Sequence, residues 1–328
     1  MPNTNSQEEP AVLQVEFRDN RLIAELAGEH DANLLVLEQE LGVQITPRGN
    51  RFHVEGEESA CERASVALKS LYGRLERGHR VALGDVKAAG KLSTETTSAS
   101  LTKGKDFGFK TPKRLISPRS AAQRHYMEAL GSADLVFGVG PAGTGKTYIA
   151  VAYAVSLLLE GKVERIILSR PAVEAGERIG FLPGDMKDKV DPYLRPLYDA
   201  LHDMLNVDYV ERRVAANEIE IAPLAFMRGR TLARSAVILD EAQNATVAQT
   251  KMFMTRLGDG AHMVLTGDPS QSDLPSNEVS GLADALSLLE GVEGVAVARF
   301  SSADVVRHPL VARIVKAYDK RDQERGGR

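Results

Sequence analysis

Lys146 and Thr147 close the run Gly140-Pro-Ala-Gly-Thr-Gly-Lys-Thr147, which has the G-x-x-x-x-G-K-[ST] spacing of a phosphate-binding loop. Gly140, Gly143 and Gly145 let the chain curl until successive backbone N–H groups converge on phosphate oxygens. Pro141, Ala142 and Thr144 fill the remaining positions of the loop. A helix starting at the loop's end adds its partial positive charge. In such a loop the lysine reaches the β- and γ-phosphates and the threonine hydroxyl serves Mg²⁺. The ligands expected from this run are therefore ATP, or a related nucleotide, and Mg²⁺.

Ala236-Val-Ile-Leu-Asp-Glu-Ala-Gln243 supplies the second half of such a site. An apolar strand delivers Asp240 as a carboxylate for Mg²⁺, and Glu241 follows as a proton acceptor for attacking water. Gly267-Asp-Pro-Ser-Gln-Ser-Asp-Leu-Pro275 follows a further strand. There Gln271 is a γ-phosphate sensor candidate, since its amide bonds both phosphate and water. Upstream, Gln123 lies in Ser117-Pro-Arg-Ser-Ala-Ala-Gln123 and has the donor and acceptor to read an adenine edge. Ser117 with Pro118 also reads as a helix cap followed by its first residue.

These residues need a sheet to hold them. Leu135–Val139, Val163–Ser169, Ser235–Asp240, His262–Thr266 and Gly294–Arg299 are apolar runs separated by helical stretches, Thr147–Glu160 among them. Continuous apolar strands between helices predict a parallel sheet covered on both faces. Before it, Val12–Glu16, Ala32–Leu41, Gly42–Thr46, Arg51–Glu55 and Glu58–Leu75 read as strand, helix, strand, strand and helix, a small α+β unit. Residues 1–80 carry nine Lys/Arg against fourteen Asp/Glu, and residues 85–119 carry eight against three. The expected division is a disordered N-terminus 1–10, an α+β domain 11–84, a basic flexible linker 85–114, an α/β domain 115–320 and a polar tail 321–328. The full chain of 328 residues has a net charge of −4, so it is not as a whole a basic nucleic-acid binder. No apolar run approaches the roughly 18–20 residues of a membrane helix. One cysteine, Cys61, excludes an intrachain disulfide framework. The polar start lacks a signal-peptide pattern, and the expected compartment is the cytoplasm.

Taken together, Gly140–Thr147, Asp240-Glu-Ala-Gln243 and Gly267-Asp-Pro-Ser-Gln271 resemble the first RecA-like domain of superfamily 1 helicases. Longer runs are similar to the PhoH family: Ser169–Glu177, Gly180–Asp185, Val190–Tyr198, Ile221–Arg230 and Asp304–Val311. That resemblance covers about residues 115–320. It implies a RecA-like P-loop ATPase of the bacterial cytoplasm tied to RNA metabolism, working beside an endoribonuclease of ribosomal RNA maturation. The element order of residues 11–84 resembles a KH-type RNA-binding module, whose G-x-x-G loop clamps a nucleic-acid backbone. The matching segment is Gly28-Glu-His-Asp31, which lacks the second glycine and has gained two acids. An acidic loop repels phosphate, which favours protein contacts or assembly for this domain.

A chain with one RecA-like lobe lacks the second lobe that supplies an arginine to the transferred phosphoryl group. A neighbouring subunit would then provide it, in a head-to-tail ring, a hexamer by analogy with other RecA-like assemblies. Arg228, Arg230, Arg299 and Arg307 are the arginines weighed for that task, with Arg299 and Arg307 preferred. Arg170, after the second strand of the sheet, lies where helicase-like lobes touch a nucleic-acid backbone. The expected function is Mg²⁺-dependent ATP hydrolysis coupled to single-stranded or structured RNA, with helicase-like remodelling. Two alternatives stand beside it: a nucleotide-switched scaffold without motor activity, and a small-molecule kinase linked to phosphate starvation.

Overall fold

The computed structural model describes residues 11–95, 108–171, 186–275 and 278–305. The expected disordered N-terminus 1–10 and polar tail 321–328 lie outside the described residues. The chain separates into two units, residues 1–108 with 114–124, and residues 109–113 with 125–328.

In the first unit, β1 (Ala11–Glu16), β2 (Gln44–Arg48) and β3 (Arg51–Gly56) form an antiparallel sheet in the order β1-β3-β2. Alternation sets its register: Val15 faces Phe52 and Ile45 faces Val54, which places all four apolar side chains in the core. Helices α1 (Ile23–Ala27), α2 (Ala32–Leu41) and α3 (Glu58–Glu76) supply most of the rest of that core. Tyr72 of α3 stacks on Phe17 with ring centroids 4.4 Å apart, and its hydroxyl accepts from Asp19 N at 2.7 Å. The unit is the expected small α+β domain. Short strands β4 (Phe109–Lys110) and β5 (Leu115–Ile116) and helix α5 (Ala121–Ser132) lead onward.

The expected linker at 85–114 is corrected at its start. Residues Leu83–Glu95 form a helix, α4, packed on α2 and α3. Val86 is fully buried and belongs to the first unit's core. Of the basic residues that suggested a linker, Lys87 and Lys91 lie on this helix, and Asp85 meets Arg74 at 3.6 Å. Residues 96–107 of the expected linker lie outside the described residues. Residues 114–124 group with the first unit rather than with the domain expected to begin at 115.

The second unit is built on β6 (Leu135–Val139), α6 (Lys146–Leu159), β7 (Arg165–Arg170), α7 (Met186–Met204), α8 (Val207–Ala215), β8 (Ile219–Pro223), β9 (Ser235–Leu239), α9 (Val247–Met254), β10 (His262–Gly267), α10 (Gly281–Leu289) and β11 (Val295–Arg299). Its sheet is six-stranded and parallel, in the order β11-β6-β10-β9-β7-β8. All five residues of β6 and of β9 are buried, as the continuous apolar runs predict. Gly138 is required within β6. A Cβ there would stand 2.8 Å from the Tyr126 ring, which is fully buried against the strand. The architecture is the expected α/β P-loop NTPase fold. Among the described residues, no helix is long and apolar enough to cross a membrane.

Candidate nucleotide site

The parallel sheet brings the carboxyl ends of its strands to one edge, where α/β proteins hold their ligands. Val139 pairs with Gly267 on one side and with Arg299 on the other. Leu239 pairs with Ser169. The segments that follow these strands therefore meet at that edge.

The loop after β6 is shaped as its glycines demand. Gly140 has φ +139°, and a Cβ on it would stand 2.3 Å from Phe300 O. Its N–H donates to Gly267 O at 3.1 Å, tying the loop to the end of β10. Gly143 and Gly145 have φ +83° and +87°, a region that side chains with a Cβ enter only under strain. Both curl the loop as the sequence reading expects, and Gly145 is the N-cap of α6. Pro141 and Ala142 cross the loop between these bends. Thr144 is buried and donates to Pro141 O at 3.0 Å. Helix α6 starts at Lys146, so its first N–H groups open onto the loop.

Lys146 is 8% exposed. Its ammonium donates to Gly140 O at 2.6 Å and to Pro141 O at 2.8 Å, and lies 3.4 Å from Thr144 Oγ1. Burial lowers its pKa, and the carboxylates of Asp268, Glu241 and Asp240 oppose that shift. The strand ends thus gather three acids around one buried cation.

Asp240 is 4% exposed, and its Oδ1 accepts from two hydroxyls, Thr147 at 2.6 Å and Thr266 at 2.8 Å. A carboxylate beside a threonine hydroxyl is the hard oxygen donor set that suits Mg²⁺, which takes one or two protein oxygens and completes its shell with phosphates and water. The residues fit the ion at this place. Glu241 stands next in a left-handed conformation, φ +51°, which turns its side chain off the line of β9. Its Oε2 accepts from Gln243 Nε2 at 2.6 Å, and its Oε1 lies 3.2 Å from Arg170 Nη2. Gln243 Oε1 in turn accepts from Asp268 N at 3.1 Å. One network therefore joins the ends of β7, β9 and β10.

The structure brings Gly140–Thr147, Asp240 and Glu241 together. Gln271 lies on the loop after β10, with its N–H donating to Asp268 O at 3.0 Å and its side chain exposed. Gln123 belongs to the first unit, is buried, and its Oε1 accepts from Arg119 N at 2.7 Å. The cap of α5 is corrected: Ser120, not Ser117, accepts from Gln123 N, at 3.2 Å, because the helix begins at Ala121. Arg299 ends β11 beside Val139, but its guanidinium is more than half exposed and binds Glu290 through two bonds of 2.6 and 2.8 Å. Arg230 is held likewise by Glu220 at 2.6 and 2.7 Å. Arg228 is exposed. Arg307, Glu174, Glu177 and the run Gly180–Asp185 lie outside the described residues.

Thr266, Gln243, Arg170 and Asp268 join the site without having been assigned these parts from sequence. Thr266 had a signal, a hydroxyl at the end of an otherwise apolar strand. Gln243 and Asp268 sit inside motifs that were recognised for their neighbours.

Comparison with known proteins agrees with the geometry. Residues 115–319 match the family described as PhoH-like protein. A "PhoH-like protein" of Bacillus subtilis (strain 168) is 49% identical over 299 residues, covering 90% of this chain and 94% of that one. One from Synechocystis sp. is 45% identical over 297 residues, covering 90% of each. "Protein PhoH" of Escherichia coli (strain K12) is 47% identical over 205 residues, covering 62% of this chain and 58% of that one. A solved structure, "Sulfolobus solfataricus SWI2/SNF2 ATPase core in complex with dsDNA", is 16% identical with a TM-score of 0.30, covering 50% of this chain and 34% of that one, a likeness too slight to argue from. With the family match spanning more than half its length and relatives aligned almost end to end, this chain, a P-loop NTPase, belongs to the PhoH-like protein family.

Proposed function

We propose that the chain is an Mg²⁺-dependent ATPase of the cytoplasm whose hydrolysis cycle serves RNA metabolism. The observation that carries the ATPase reading is the convergence of Thr147 and Thr266 on Asp240 Oδ1, next to a P-loop lysine and followed directly by Glu241. Main-chain N–H groups of the loop and α6 would bind the phosphates, and Lys146 would add the positive charge. Thr147 and Asp240 would hold Mg²⁺, which supplies charge neutralisation on the phosphates when bound. Glu241 would take a proton from the attacking water through the oxygen it frees from Arg170 or Gln243. Gln271 keeps its proposed task as phosphate sensor.

RNA, single-stranded or structured, is the proposed substrate, and an endoribonuclease of ribosomal RNA maturation the proposed partner. The family membership supports both. Supply of an arginine from a neighbour in a homo-oligomeric ring, a hexamer by analogy, is proposed because the described residues form one RecA-like lobe. The first unit is proposed to serve protein contacts. Its Gly28–Asp31 segment carries Glu29 and Asp31, and an acidic segment repels phosphate. One feature favours a nucleotide-switched scaffold as a second reading: both carboxylate oxygens of Glu241 are already engaged.

ATP turnover measured with and without Mg²⁺ and single-stranded RNA, alongside the mass in solution, tests these readings. RNA-stimulated, Mg²⁺-dependent turnover by an oligomer, lost in Lys146→Ala and Glu241→Gln, supports the motor. ATP binding without turnover, or turnover indifferent to RNA by a monomer, supports the scaffold. ATP binding unaffected by Lys146→Ala removes the P-loop from either.

A further inference from the structure

Asp268 is a buried carboxylate at the nucleotide edge that has no part in the chemistry above. It follows Gly267, whose carbonyl accepts from Gly140 N, so its backbone is fixed against the P-loop. It is 8% exposed. Its Oδ1 accepts from Ser270 N at 3.0 Å and from Ser270 Oγ at 2.7 Å. Its Oδ2 is buried and takes no hydrogen bond from any described residue. A buried carboxylate oxygen without a donor costs free energy, and folded proteins keep few of them.

Gly140 joins the two residues: its N–H donates to Gly267 O, directly before Asp268, at 3.1 Å, and its carbonyl accepts from Lys146 Nζ at 2.6 Å. Among the acids that oppose the effect of burial on that ammonium, Asp268 comes before Glu241 and Asp240. Yet Lys146 directs its N–H bonds at Gly140 O, Pro141 O and, more weakly, Thr144 Oγ1. These acceptors belong to the loop that phosphates must enter. When phosphate oxygens arrive, the ammonium has to leave them. An anionic acceptor anchored on the same loop residue, Gly140, can then hold one of its N–H groups.

We propose that Asp268 is a positioning residue for Lys146, its Oδ2 accepting one N–H of the ammonium once nucleotide draws it off the loop carbonyls, which leaves the other two for the phosphates. The proposal rests on the ATPase reading. Asp268 acts through Lys146 and does not touch the reacting atoms. The bare oxygen is a cost borne by the nucleotide-free protein for an interaction completed on binding.

Asp268→Asn is the discriminating change. The amide retains an oxygen for both Ser270 bonds and exchanges the bare oxygen for an NH₂ group, which sets a donor against a donor. Three quantities are measured: the melting temperature without nucleotide, the dissociation constant for ATP, and turnover. Without nucleotide the variant melts at the native temperature or a few degrees above it, because a bare buried charge has gone. ATP affinity changes by less than about threefold, while turnover falls by about 30-fold, since an orienting interaction is lost and not a binding one. In a Lys146→Ala background the same change costs no further turnover, because the two residues act as a unit.

Three results overturn the proposal. A melting temperature several degrees lower, or failure to fold, makes Asp268 a structural residue of the Ser270 turn. Turnover within about threefold of native shows that Oδ2 needs no ammonium. Losses that multiply with those of Lys146→Ala show that the two act independently. Each of these leaves the ATPase reading standing. Native turnover in the Lys146→Ala protein removes that reading, and the proposal with it.

Discussion

Arg170 Nη2 lies 3.2 Å from Glu241 Oε1, and Arg170 Nη1 donates to Tyr193 O at 3.0 Å. The guanidinium thus ties the end of β7 to the acid after β9 and to α7 at once. Gln243 holds the other oxygen of Glu241. A base with one oxygen held by a hydrogen bond and the other by an ion pair is poorly placed to take a proton from water. Both partners keep some solvent contact, so the pair is worth about 0–1 kcal/mol. Arg170→Ala is expected to raise ATP turnover in the absence of RNA by about threefold to fivefold, the factor that such an energy allows. Steady-state hydrolysis without RNA checks this. A fall in turnover would mean that Arg170 orients Glu241 productively.

Gly138 and Tyr126 make a second pair whose coupling can be measured. A Cβ at 138 would stand 2.8 Å from the Tyr126 Cζ and hydroxyl, and the ring is fully buried against Phe300. Gly138→Ala overpacks this contact and should destabilise the second unit by about 1–3 kcal/mol. Denaturant unfolding reads the loss directly. Tyr126→Leu removes the crowding ring, so adding Gly138→Ala to it should cost clearly less than in the native background. Equal costs in both backgrounds would place the strain elsewhere.

His262 sets a pH dependence separate from the nucleotide edge. It opens β10, at the opposite end of the strand from Gly267. Its Nδ1 lies 3.3 Å from the Tyr153 hydroxyl. Burial lowers its pKa below the ordinary 6.5; Asp134 opposes the shift and Lys162 adds to it. The unfolded chain therefore binds a proton at a higher pH than the folded one does. Stability from this residue is present above the unfolded pKa of about 6.5 and is lost as the pH falls through the lower folded value. Thermal melts from pH 7.5 down to about 5 should show a decline that is shallower in His262→Gln. A decline of the same slope in both proteins would assign it to other groups.

The sheet and its phosphate loop were legible in sequence for a physical reason. Strands β6 and β9 are buried on both faces, so they are written as unbroken apolar runs, and the loop's conformation demands glycine at Gly140, Gly143 and Gly145. Helix α4 was not legible. Its buried face is a few small residues around Val86, while Lys87 and Lys91 and the Ser/Thr run after it dominate its composition. Contacts made across the sheet were equally hidden. Asp268 reads as a turn residue beside Pro269, and only the pairing of β10 with β6 brings the end of β10 to the phosphate loop. The Glu290 partner of Arg299 caps the end of α10, nine residues before it, a pairing that no local pattern announces.

Arg299 carries the last prediction. Its place at the end of β11, one strand from the P-loop, puts it at the edge of the sheet, yet its guanidinium is paired outward with Glu290. An exposed arginine at that edge is available to a neighbouring subunit in the proposed ring. Arg299→Ala should leave the melting temperature unchanged, since an exposed ion pair contributes little to stability. It should lower ATP turnover by about 10³-fold if it is the arginine that acts in trans. Glu241→Gln should be equally inactive. Mixing the two inactive proteins and allowing subunits to exchange then restores part of the activity, because some interfaces join an intact Glu241 to an intact Arg299. Recovery on mixing, followed as phosphate release over time, identifies an arginine shared between subunits. No recovery, in subunits shown to exchange, places any need for Arg299 within its own chain, where the ion pair with Glu290 would have to open.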